Sequence, residues 1–198
     1  MNKVQAAILA SRSYPTFRQR LSVHDCRLCG LHAGRTNLVV DRGNPAARLL
    51  LIGEGPGADE DRLGQAFVGR SGRLLDQMLL ETGIDPARDV LIANVVKCRP
   101  PENRRPTREE AGACLPYLHR QIALVRPKIL GLLGATAAEH VLSHDPGRKM
   151  SKIVGNCVEV ESLPGMVVMP LFHPAYVLRN PRKRGEMLDH LMGIMARL

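Results

Sequence analysis

An apolar run, Leu49-Leu50-Leu51-Ile52, passes without transition into Gly53-Glu54-Gly55-Pro56-Gly57. Consecutive apolar residues without polar alternation suit a strand buried on both faces, as in a parallel sheet covered by helices. The glycines and proline that follow end the strand in a backbone turn carrying one carboxylate. In open α/β sheets, ligands sit at that carboxyl edge. The feature therefore demands a covered sheet with a ligand-binding rim.

The rest of the chain agrees. Further apolar runs of strand length fall at 90–93, 129–133 and 166–172, and helical patterns separate the first three runs. Leu74, Leu75, Met78 and Leu79 recur at helical spacing after Gly72. Thr107-Arg108-Glu109-Glu110 reads as a capping box opening a helix toward Val125, with Pro116 expected to kink it or shift its start. A shorter helix is expected over 136–142 and a terminal one over 187–198. Strands alternating with helices predict a three-layer α/β/α sandwich around a central, mostly parallel four-stranded sheet.

With 198 residues and no repeat, low-complexity tract or linker, the whole chain is expected to form a single domain, 1–198. No segment has the apolar length to span a bilayer, and the first residues lack a signal-peptide pattern. A cytosolic protein without membrane contact is expected. Lys and Arg outnumber Asp and Glu by 28 to 19, a net charge of +9. Such a surplus favours a polyanionic partner, usually nucleic acid, although a generally basic, soluble surface would give the same count.

The cysteines are Cys26, Cys29, Cys98, Cys114 and Cys157. Cys26 and Cys29 form a C-x-x-C, whose thiolates can reach one metal centre. Cys98 lies in a Pro-rich loop after a strand, and Cys114 on the next helix. A structural zinc site usually brings a second C-x-x-C or a His pair. A redox C-x-x-C belongs near a thioredoxin-like βαβ unit, but this one precedes the first strand. Four thiolates gathered by the fold would also suit an iron–sulfur cluster. Zinc, a cluster and buried free thiols all remain open on spacing alone. Cys157, in the polar, strand-like stretch Asn156-Cys157-Val158-Glu159-Val160, reads as a small packed thiol.

The turn at Gly53 is no Walker loop, because no Gly-Lys-Ser/Thr follows, and its glycines miss the dinucleotide spacing. Asp59-Glu60-Asp61 would repel a phosphate, so this half suits a neutral ligand held by hydrogen bonds. Arg70-Ser71-Gly72 opens a helix, where free N–H groups do suit a phosphate. Between them stands Phe67, either core packing or a platform for a ring. Asn94 ends the second strand; its amide has the donor and acceptor needed to read a base edge, but a strand-end Asn also forms turns. The basic stretch 97–106 is either a solvated face or a phosphate contact. The last strand ends in His173-Pro174-Ala175-Tyr176, followed by a loop whose Leu178 and Arg179 suit insertion into a duplex to expel a base.

In this order the motifs resemble the family 4 uracil-DNA glycosylases, the iron–sulfur branch of their superfamily. The resemblance runs from about Cys26 to Arg179. It takes in Gly53-Glu54-Gly55-Pro56-Gly57, Glu60-Asp61, Phe67-Val68-Gly69, Ser71-Gly72, Asn94-Val95-Val96-Lys97-Cys98-Arg99-Pro100-Pro101 and His173-Pro174-Ala175-Tyr176, with four cysteines interleaved. It implies a [4Fe–4S] cluster on Cys26, Cys29, Cys98 and Cys114, held for structure. It also implies a uracil pocket floored by the turn, including Gly53 and Gly55. In that pocket Phe67 would stack on the flipped base, Asn94 would read its O4/N3 edge, Glu60 would lie near C5, and His173 would donate to O2. Contacts to DNA would come from Arg70, Ser71, Leu178 and Arg179, and the partner would be uracil-containing DNA, single- or double-stranded, bound by a monomer.

The implied activity is DNA repair by excision: hydrolysis of the N-glycosidic bond of a flipped uracil, leaving an abasic site. The best-known branch of the superfamily has an Asp where this chain has Gly55, which leaves Glu54 to position water or stabilise the sugar cation. Two departures stand out: Ala66 replaces the Pro that commonly precedes the stacking Phe, and Pro116 stands near the fourth cysteine. The alternatives are a non-catalytic or a crosslinking member of the same superfamily. In a relative that becomes joined covalently to uracil-DNA, an Arg-rich insert with a reactive His occupies the region of residues 143–152. Here His144 precedes the basic residues and the Arg-rich run is missing, so crosslinking is not expected.

Overall fold

The computed structural model describes residues 3–142, 150–161 and 163–198; His144 and most of the basic stretch 143–152 lie outside them. Among the described residues the strands are β1 (Arg42–Gly43), β2 (Leu49–Gly53), β3 (Val90–Asn94), β4 (Ile129–Leu133) and β5 (Val167–Leu171), joined in one sheet of order β1-β3-β2-β4-β5. The helices are α1 (Lys3–Leu9), α2 (Tyr14–Ser22), α3 (Ala58–Leu63), α4 (Arg70–Glu81), α5 (Arg108–Val125), α6 (Ala135–Val141), α7 (Met150–Ile153), α8 (Pro174–Arg179) and α9 (Arg184–Met195).

Every residue of β2, β3 and β4 is buried, and all the pairings among β2 to β5 are parallel. Side chains along each strand alternate between two apolar layers. Leu50, Ile52, Leu91 and Leu132 face α1, α2, α5 and α6, while Leu49, Leu51, Ile92 and Leu133 face α4, α8 and α9. This is the three-layer sandwich that the apolar runs predict. The sheet gains one strand beyond the expected four: β1, a two-residue antiparallel edge on β3. Pro170 sits within β5, where the edge position tolerates a missing donor.

Several local expectations change. The capping box at Thr107 forms, its hydroxyl accepting from Glu110 N at 3.2 Å while Glu110 Oε2 accepts from Thr107 N at 2.8 Å. The helix starts where expected and continues through Pro116. Residues 156–160 form no strand, only an isolated bridge from Val158 to Val168, and Cys157 is exposed, not packed. Leu178 and Arg179 belong to the short helix α8, not to a loop; Pro174 supplies a helix-compatible φ at its start and His173 caps it.

The order of strands places the turn at Gly53. From β2 the chain moves to β3 on one side and later returns to β4 on the other. The carboxyl end of β2 is thus the topological switch point, where open α/β sheets bind ligands.

Candidate active site

A cavity of about 630 Å³ opens at this switch point. The turn supplies Glu54, Gly55, Pro56 and Gly57; the loop before α4 supplies Phe67; and the β4–α6 junction supplies Gly134 and Thr136. His173 and Arg179 close another side, and Arg104 and Arg105, ion-paired to Glu110 and Glu139, reach the rim.

Pairing between β2 and β3 continues into the turn, with Val95 N donating to Gly53 O at 2.9 Å and Val96 N to Glu54 O at 3.1 Å. The glycines are fixed by what lies against them. A β-carbon on Gly53 would fall 2.5 Å from both Asn94 Oδ1 and the Phe67 ring. Amide and ring therefore meet over a bare α-carbon. A β-carbon on Gly55 would fall 2.7 Å from Val96 Cγ2, so the place of an Asp in the best-known branch is closed here.

Phe67 has φ of +55°, the left-handed region that costs a side-chain-bearing residue on the order of 1 kcal/mol. Glu60 holds this conformation. Its Oε1 accepts from Val68 N at 2.8 Å and Gly69 N at 2.7 Å, and its Oε2 from Gly57 N at 3.1 Å. The buried carboxylate lines the cavity and ties the Gly-rich turn to the Phe67 loop. Asp61 does comparable work behind it, accepting from Thr36 N and Asn37 N. The acidic triplet at 59–61 is thus largely occupied by backbone donors.

Asn94 is buried, and neither its Oδ1 nor its Nδ2 has a partner among the described residues. A buried amide without partners is costly unless a ligand satisfies it. His173 Nδ1 accepts from Ala175 N at 3.1 Å. That bond leaves the proton of the neutral ring on Nε2, which can donate. Burial, aided by the Arg179 charge, pushes the His173 pKa down to about 4, so the imidazole is neutral at physiological pH. Its ring lies 5.8 Å from that of Phe67. The carboxylate of Glu54 accepts a hydrogen bond from Thr136 Oγ1.

A second, narrow pocket gathers Cys26, Cys29, Cys98 and Cys114 with Leu28, Leu38, Lys97 and Tyr117. All four thiols are free. Arg35 Nη1 donates to Cys98 Sγ at 3.3 Å and Lys97 N to Cys114 Sγ at 3.4 Å. Burial raises the pKa of Cys29 and Cys98 and pushes Cys114 up to about 12. Among the described residues no group of three or more His, Cys, Asp or Glu is placed to hold a metal ion. Lys97 joins the two sites. Its fully buried ammonium donates to Asn94 O at 2.7 Å and to Gln121 Oε1, and Gln121 continues to Tyr14, which donates to Asp41 at 2.6 Å. Desolvation lowers the Lys97 pKa to about 8.

A family model described as the uracil DNA glycosylase superfamily matches residues 40–193. The chain belongs to that superfamily. Among curated relatives, a type-4 uracil-DNA glycosylase from Thermotoga maritima is 48% identical over 160 residues, covering 80% of each chain. Type-4 uracil-DNA glycosylases from Archaeoglobus fulgidus and Pyrobaculum aerophilum are 42% and 41% identical, covering 83% of this chain and 83% and 85% of their own lengths.

Within this superfamily fold, the sequence-predicted residues gather unevenly. Glu54, Gly55, Glu60, Phe67, Ser71, His173 and Arg179 line one cavity, with Gly53 and Asn94 packed beneath Phe67. Arg70 and Leu178 are exposed and do not line it. Thr136 and Gly134 were not anticipated; their only sequence signal is a place just past an apolar strand, shared by many residues. Among the described residues no helix is long and apolar enough to cross a membrane.

Proposed function

We propose that the chain excises uracil from DNA, hydrolysing the N-glycosidic bond and leaving an abasic site, as a monomeric cytosolic repair enzyme. One observation carries the reading: the buried Asn94 amide, unpartnered among the described residues and set beside Phe67, near an imidazole whose free nitrogen is a donor. The amide donates to O4 and accepts from N3–H of uracil, a sense that cytosine reverses. Phe67 offers its face to the flipped base. As the bond from C1′ to N1 breaks, its electron pair moves into the ring and charge collects on O2, where the neutral His173 Nε2–H donates. Water, oriented by the Glu54 carboxylate, adds to C1′, and the proton it loses is balanced by the one the departing uracil anion takes up. Net charge of +9, with Arg179 at the cavity, suits the DNA backbone, and single-stranded or mismatched uracil costs least to flip.

Cys26, Cys29, Cys98 and Cys114 would hold a [4Fe–4S] cluster. The donor set fits: four thiols in one apolar pocket, with N–H groups directed at two of the sulfurs, as thiolates prefer. Ligands of a cluster stand farther apart than ligands of one ion, which accords with the lack of a single-ion arrangement among the described residues. When bound, the cluster would cross-link the segment before β1, the loop after β3 and helix α5. Protein purified without oxygen should be brown; a colourless protein with stoichiometric zinc would refute the cluster.

The activity is tested with an oligonucleotide carrying one uracil. Free uracil should appear, with strand cleavage only after alkali. No release from either single- or double-stranded substrate sinks the reading.

A further inference from the structure

The first turn of α6, just after β4, reaches across the switch point and takes hold of the carboxylate in the Gly53–Gly57 turn. Thr136 is the second residue of α6, buried, and its hydroxyl donates to Glu54 Oε2. In a helix interior a Thr hydroxyl commonly turns back to the carbonyl four residues earlier. Here that residue is Leu132, still in β4, so no helical carbonyl competes for the proton. Glu54 is held from the opposite side as well, its main-chain oxygen accepting from Val96 N at 3.1 Å. The segment after β3 thus fixes the backbone of Glu54, and the segment after β4 fixes its side chain.

The remaining carboxylate oxygen, Oε1, makes no hydrogen bond among the described residues, and both Glu54 and Thr136 line the cavity. Glu has three rotatable side-chain bonds, and an untethered carboxylate would sample several positions. A carboxylate with one oxygen tied presents the other at a single place. The closed position at Gly55 makes this tether matter, because no shorter acidic side chain fits the turn without displacing Val96.

We propose that Thr136 is a positioning residue for Glu54, aiming its free oxygen at the water that attacks the sugar. The inference rests on the glycosylase reading above. Thr136 touches neither base nor sugar in this role; it acts through Glu54.

The test is single-turnover release of uracil from a single-stranded oligonucleotide by wild type, Thr136→Val, Thr136→Ser, Glu54→Gln and the Thr136→Val/Glu54→Gln double variant. Valine keeps the branched shape and removes the hydroxyl. It should slow the chemical step by about 10- to 100-fold, the scale of a misplaced reacting group, with oligonucleotide affinity within about two-fold. Serine restores the hydroxyl and should recover to within about five-fold of wild type, its unbranched side chain holding the rotamer less firmly. In the Glu54→Gln background the valine change should add less than about two-fold, since partners in one interaction are not additive.

A wild-type rate for Thr136→Val alongside a slow Glu54→Gln overturns the proposal and leaves the glycosylase reading standing. Additive losses in the double variant overturn the route through Glu54. A wild-type protein that releases no uracil removes the function reading itself, and the positioning role with it. Thermal midpoints of all variants report folding, and Thr136→Ala, which adds no volume, should give the same order of rates if the valine variant does not fold.

Discussion

Two pockets of this chain share the segment that follows β3, yet they treat polar atoms in opposite ways. At the switch-point cavity, Asn94 keeps both amide atoms and Glu54 one carboxylate oxygen unpaired among the described residues. In the cysteine pocket, a few residues along the chain, Arg35 and the Lys97 N–H already donate to sulfur, and apolar side chains fill the walls. The first site bears the cost of unmet hydrogen bonds until a ligand supplies them. The second is packed shut and has the character of a fastening. The first pocket leaves polar atoms open to a ligand, while the second already directs N–H donors at two of its four sulfurs.

The contrast is broken most severely at the fastening. Cys114→Ser should abolish the visible absorbance of anaerobically purified protein and lower stability by several kcal/mol, on the order of what structural metal sites contribute, read by absorbance and thermal melting. An unchanged spectrum would remove Cys114 from the ligand set.

Next come the unpaired groups. His173→Ala should slow excision by about 10²- to 10³-fold, the usual cost of one lost donor to developing charge, with DNA affinity little changed. The low pKa of His173 gives two further readouts. Its donor tautomer persists across neutrality, so excision rates should show no step from this residue between about pH 6 and 8. Between about pH 6.5 and 4 the unfolded chain binds a proton that the folded chain refuses, so this residue makes stability rise with pH in that window and level off above it. His173→Gln should flatten that slope in urea melts.

Asn94→Asp should reduce uracil excision by roughly 10- to 100-fold, because a carboxylate faces a carbonyl where a donor stood, and should narrow the preference over cytosine. Unchanged selectivity in a paired uracil and cytosine assay would deny the reading role. The smallest effect is expected from Arg179→Ala, exposed and without a hydrogen bond among the described residues: about a 3-fold loss on duplex and less on single strands, in keeping with a solvent-exposed charge. Equal losses on both substrates would end the idea that it fills the gap behind a flipped base.

The central sheet was legible because β2, β3 and β4 are buried on both faces and therefore carry continuous apolar runs. β1 was not, because two residues with a Gly at φ +101° have no periodicity to detect. Glu54, Phe67 and His173 stood out by their places beside glycines or at strand ends. Their partners did not. Thr136 lies 82 residues from Glu54, and only the neighbouring of β2 and β4 brings them together. Glu60 was legible as a cavity residue, while its grip on three backbone N–H groups depends on how the loop at 67–69 folds back. Cys157 misled because the polar, strand-like stretch at 156–160 imitates a strand but pairs with the sheet only through one bridge, Val158 to Val168.

Lys97 carries a last consequence. Within five consecutive residues, the Asn94 side chain packs against Gly53 at the floor of the switch-point site, Lys97 donates to Asn94's carbonyl, and Cys98 enters the cysteine pocket. The spacing between the two sites is therefore counted in single peptide units. Inserting or deleting one residue between 94 and 98 would throw both out of alignment at once, so along this stretch length is held more tightly than side-chain identity.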